Sequence, residues 1–195
     1  MKCGRPLQWT VCLLDANELP LRHLLQTLNG VTSGPRAFSG PIGIAMKTYE
    51  ELAIISFEAI EGTSLPEMGE FHIRDLSDDQ RYLKEMFQAV SVGNCPTDLA
   101  NIKPGPVVHS RWLTTASRIL RLYVSTRNPS DNLVILVTYI MNVYTPDWFG
   151  IKMKFSKKEG SRHLWKILKY SRYMQQDDLL QVVDGVLQER VFFCT

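Results

Sequence analysis

Between Cys12 and His23 the chain places a thiol, two carboxylates and an imidazole: Cys12, Asp15, Glu18 and His23. Side chains of these types can bind a metal or move a proton, so their spacing decides what they can do together. On a helix Asp15 and Glu18 lie three apart and share a face. His23 lies five beyond Glu18, about 140° further round, which suits a common metal-dependent nuclease site poorly. Two-metal phosphoryl transfer needs carboxylates held on rigid elements around both ions. Asp78 and Asp79 open a helix, where negative charge is favourable, and Asp98 lies in a loop. Only Asp15 follows a candidate strand. The four cysteines, Cys3, Cys12, Cys95 and Cys194, form no CxxC pair, and no two histidines have zinc-ligand spacing. There is no GxSxG nucleophile elbow. The Gly-rich stretch from Gly30 to Gly43 lacks the GK[ST] ending of a phosphate loop. No metal, cofactor or catalytic residue is expected.

Two basic surfaces offer a different chemistry. Lys152, Lys154, Lys157, Lys158, Arg162, Lys166, Lys169 and Arg172 are opposed within their span only by Glu159, with Phe155, Trp165 and Tyr170 interleaved. Cations displace counterions from phosphates, and aromatic faces stack on unpaired bases. The plainer reading is that Leu164, Ile167 and Leu168 bury one face while the cations are solvated. Arg111, Arg118 and Arg121 beside Trp112 make the second surface, where guanidinium groups at helical spacing can grip phosphates. Here the alternative is that Trp112 anchors the core.

The elements that must position these residues read as mostly helical. Leu7 to Leu14 is a candidate strand, or runs straight into a helix. From Asn17, an expected N-cap, Leu21, Leu24, Leu25 and Leu28 fall on one face, with Pro20 in the first turn and Gly30 as the stop. Tyr49 to Ile60 is ambiguous. Ser77-Asp78-Asp79-Gln80 has capping-box form; Leu83, Phe87 and Val90 follow on one face, and Gly93 ends that helix. A third helix from Arg111 has an apolar stripe of Trp112, Ala116, Ile119 and Tyr123, with Arg111, Thr114, Arg118, Arg121 and Ser125 opposite. Leu133 to Tyr144 reads as a central buried helix. A turn at Thr145-Pro146-Asp147 and helices over 161–174 and 177–189 complete the pattern. The expectation is one mostly α domain or fragment over residues 1–195, bundle-like, with at most one or two short strands near the N-terminus. Its loops fall at about 30–43 and 94–107, and its basic helical region at 152–190.

Composition agrees with a packed core: 45% of the 195 residues are hydrophobic and 22% are charged. A net charge of +2 announces no partner by itself. The chain shows no signal-peptide h-region, and its longest apolar run is too short to span a bilayer. With few cysteines, this predicts a soluble protein, nuclear or cytoplasmic, without a membrane partner.

Four ordered blocks, CLLDANELPLRHLLQTLNG, TSGPRAFSGPIG, HSRWLTTASRILRLYVST and YTPDWFGIKMKFS, stand along the chain within a likeness that runs from about Arg5 to Arg190. Together they resemble a group of uncharacterised invertebrate proteins that look derived from transposable elements. More distantly, the chain resembles the helical-insertion region of hAT-type DNA transposases, whose catalytic domain is ribonuclease-H-like. Cys12-Leu13-Leu14-Asp15 stands at that family's C-x-x-H motif, with Asp15 in place of the His. Arg111-Trp112 stands at its R-W motif. The resemblance implies that Trp112 stacks on an unpaired base and Arg111 contacts a phosphate. The family's acidic triad binds two divalent metals, and its first two members would precede the C-x-x-H position. Only eleven residues, none acidic, precede Cys12. The resemblance therefore implies a catalytically inactive derivative. It would retain contacts with single-stranded or hairpin DNA through Arg111, Trp112, Arg118, Arg121, Lys157, Lys158, Arg162, Lys166, Lys169 and Arg172. The alternative is a protein-interaction or structural module prone to self-association.

Overall fold

The computed structural model describes residues 13–30, 39–48, 51–102 and 111–153. About two thirds of these residues are helical, and no strand occurs among them, so the mostly α expectation holds. Residues 7–12 of the candidate strand, and the helices expected over 161–174 and 177–189, lie outside the described residues.

Helix α1 (Leu13–Asn29) starts earlier than its pattern suggested. Leu13 and Leu14 are already helical, so Asn17 is an interior residue and not the N-cap. Pro20 likewise sits mid-helix, where its missing N–H removes one backbone hydrogen bond. Tertiary packing compensates, because Asn17, Pro20, Leu21, Leu24 and Leu25 are all buried. Gly30 ends the helix at φ 101°, as expected of a left-handed stop. Part of the expected 30–43 loop then forms a short helix, α2 (Pro41–Ala45). It docks on the end of α1 through Gly43 N–H, which donates to Asn29 Oδ1 at 2.9 Å.

A short α3 (Glu70–Arg74) leads into α4 (Asp78–Val92). The capping box forms: Ser77 N–H donates to Gln80 Oε1 at 3.3 Å. Gly93 closes α4 at φ 75°. The expected loop after Cys95 contains α5 (Thr97–Asn101).

Helix α6 (Arg111–Tyr123) packs against α4 on one side and α7 (Asp131–Tyr139) and α1 on the other. Two residues of its expected polar face, Thr114 and Arg121, are buried, Arg118 and Ser125 are half-buried, and Thr115 and Ser117 join Trp112, Ala116 and Ile119 inside. Helices are not its whole cover. The ambiguous segment after Tyr49 supplies the cover as irregular extended chain, bonded from Ile55 N–H to Val124 O and from Ile60 N–H to Val90 O, each at 3.1 Å. Tyr123 Oη donates to Glu58 O at 2.9 Å, and Asn142 Nδ2 to Glu61 O at 3.2 Å.

Helix α7 begins at the N-cap Ser130, whose hydroxyl accepts from Leu133 N–H at 3.3 Å. It passes through a π-helical segment, Ile140–Tyr144, directly into α8 (Thr145–Met153). There is therefore no turn at Thr145-Pro146-Asp147. Pro146 has no N–H for the carbonyl one α-turn earlier and crowds it. Widening the helix just before the proline relieves the crowding: Thr145 N–H bonds to Ile140 O, five residues back.

Candidate functional site

Of the expected nucleic-acid contacts, Arg111, Trp112, Arg118 and Arg121 fall on α6. Trp112 is only 6% exposed and belongs to the apolar core. As folded, its indole presents no free face on which a base can stack. Arg118 is half-buried, with no hydrogen-bond partner at Nε. The backbone of Arg111 opens the helix. Cys12, Lys157, Lys158, Arg162, Lys166, Lys169 and Arg172 lie outside the described residues. Lys152, the first cation of the basic stretch, is tied down: its Nζ donates to Gln80 Oε1 and to Asp75 O at 3.4 Å. It thereby fastens the end of α8 to the corner between α3 and α4.

Arg121 is 4% exposed, yet it ends at a cavity. Its Nη2 donates to Leu52 O at 2.9 Å and its Nη1 to Ser125 Oγ. These bonds clamp the extended segment onto α6. The cavity, about 510 Å³, is lined by Arg121 and Cys95 with Glu51, Leu52, Asn101 and Ile102. Glu51, Leu52, Asn101 and Ile102 are exposed, so the cavity opens to solvent. Cys95 is a half-buried free thiol; burial pushes its pKa up, against the pull of the nearby Arg121 guanidinium.

A second polar group lies inside the bundle where the π segment meets α1. Asn17 Nδ2 donates to Tyr144 O at 3.2 Å across the sequence. Tyr139 and Tyr144 are fully buried, and no hydrogen-bond partner meets either phenol. Burial raises both pKa values strongly, and Asp147 beside Tyr139 and Glu18 beside Tyr144 add to the rise. Five positions apart, the two tyrosines would diverge by about 140° on an unbroken α-helix. The extra residue of the π turn brings Tyr144 back toward Tyr139.

Glu18 thus faces the tyrosine layer. Among the described residues no three His, Cys, Asp or Glu side chains gather closely enough to hold a metal ion. Nor is any described helix long and apolar enough to cross a membrane. Sequence reasoning placed Arg121 on a basic surface and missed both its cavity and the tyrosine layer. The available signal was the set of polar residues, Thr138, Tyr139, Asn142 and Tyr144, inside an otherwise apolar run. No family model, curated protein or solved structure matches the chain.

Proposed function

We propose that this protein is a catalytically inactive, transposase-derived helical protein that binds nucleic acid through its basic C-terminal stretch. The supporting observation is charge segregation. Residues 152–172 hold eight cations against one acid, net +7, which leaves −5 on the rest of a chain whose total is +2. Such a concentrated cationic segment, interleaved with Phe155, Trp165 and Tyr170, suits a single-stranded or hairpin backbone better than a helix buried on several sides. The reading therefore moves the contacts away from Trp112 and Arg121, which the core occupies, to Lys157, Lys158, Arg162, Lys166, Lys169 and Arg172. Asp15 at the histidine position of the resembled motif supports the loss of catalysis.

The test is a salt titration of binding to single-stranded and hairpin DNA. Six phosphate contacts give a slope of about −4 in log K against log salt on single strands. Lys166→Glu with Lys169→Glu is expected to flatten that slope and to weaken binding at least tenfold. A flat response in the unaltered protein refutes the proposal. A protein-interaction role is the second reading, favoured by apolar side chains left in solvent: Phe71 is 75% exposed and Val92 76%. On that reading the charge reversals change nothing, while Phe71→Ser abolishes self-association measured by sedimentation.

A further inference from the structure

The Arg121 guanidinium poses a problem that the basic stretch does not touch. A cation this deeply buried is normally matched by a carboxylate, because desolvating an uncompensated charge is costly. Among the described residues, no carboxylate forms an ion pair with Arg121. Its partners are neutral, the Leu52 carbonyl and the Ser125 hydroxyl. A guanidinium carries five N–H donors in a planar fork suited to oxyanions, and these two acceptors leave part of the fork unused. The same side chain lines an open cavity of about 510 Å³. That is the size of a small-molecule site and several times larger than one inorganic ion needs. Most of the lining is polar, with Thr97 and Asn101 adding neutral groups, and Leu52, Ala53, Ile54 and Ala100 supply a smaller apolar wall.

We propose that this cavity is a binding site for a small organic oxyanion, a phosphate monoester or carboxylate whose charged head meets Arg121 and whose body lies on the apolar wall. The bound oxyanion supplies the missing countercharge. Glu51 at the rim opposes it, but that carboxylate is exposed and solvent-screened, whereas Arg121 is buried. Cys95 shares the cavity and reports on its occupancy.

The experiment alkylates the folded full-length chain with iodoacetate or iodoacetamide and follows Cys95 by peptide mass mapping. A cationic cavity is expected to raise the iodoacetate-to-iodoacetamide rate ratio about tenfold over that of a free thiol peptide. Phenyl phosphate and benzoate are the probes, with phenol as the neutral control. Saturable protection by phenyl phosphate alone assigns a phosphate ligand, and protection by benzoate alone a carboxylate. Protection by neither, or equal protection by phenol, overturns the proposal. Glu51→Gln is expected to tighten the protecting anion. Ala100→Phe fills the cavity while leaving Arg121 and its clamp in place, and should remove protection. Unchanged protection in that variant also overturns the site. Arg121→Gln should bring the rate ratio to the peptide value; if it unfolds the chain, Ala100→Phe still decides.

Discussion

Replacing Trp112 with alanine separates the two roles open to that residue. The indole is 6% exposed on a helix packed between α4 and α7. A tryptophan buried to this degree removes roughly 200–250 Å² from water. At about 25 cal/mol per Å² this corresponds to roughly 5–6 kcal/mol, an upper bound because the denatured chain already buries part of that surface. Aromatic truncations in cores typically cost about 3–5 kcal/mol, since the cavity left behind relaxes only partly. Trp112→Ala should therefore lower the free energy of unfolding by about 3–5 kcal/mol, and Trp112→Phe by clearly less. For a chain of this size the loss corresponds to a fall in Tm of roughly 6–20 °C. The assay is urea unfolding followed by far-ultraviolet circular dichroism, with the midpoint expected to fall and the slope unchanged. DNA affinity, measured on the folded fraction, should stay within about twofold. If stability changes by less than about 1 kcal/mol while DNA affinity collapses, Trp112 is a stacking residue and the core position derived above is wrong.

Other perturbations test other parts of the fold. A Cβ at position 40 would sit 1.5 Å from Asn29 O, a backbone atom that cannot step aside. Gly40→Ala should cost about 2–4 kcal/mol and detach α2 from α1, read as faster amide exchange over 41–46. Stability should fall as pH rises above about 10, the ordinary tyrosine value, because Tyr139 and Tyr144 hold their protons more tightly folded than unfolded. Below that pH their contribution is fully present. Tyr139→Phe with Tyr144→Phe should shallow the alkaline decline, and an unchanged decline would show that the phenols are solvated. Removing the Lys152 amine with Lys152→Met should cost about 1 kcal/mol by urea unfolding, since its contacts to Asp75 and Gln80 are lost.

Local signals determined much of this protein. The Ser77–Gln80 capping box, the apolar repeat of Leu83, Phe87 and Val90, and the left-handed glycines at 30 and 93 each act within a few residues. Their helices appear where the spacing placed them. The leucine stripe of α1 also faces inward as read, although the helix begins four residues before Asn17. Only the tertiary structure decided the rest, because burial depends on what arrives from elsewhere in the chain. Arg121 and Thr114 read as a solvent face by periodicity, yet an extended segment with no regular pattern of its own covers α6. Asn17 is a good cap by residue type, but the Tyr144 carbonyl holds it inside the bundle. Pro146 reads as a turn and instead sits within a continuous helix, which widens by one residue to admit it. The cavity at Arg121 exists only because residues 51–54, α5 and α6 converge there, a meeting that no local spacing in the sequence records.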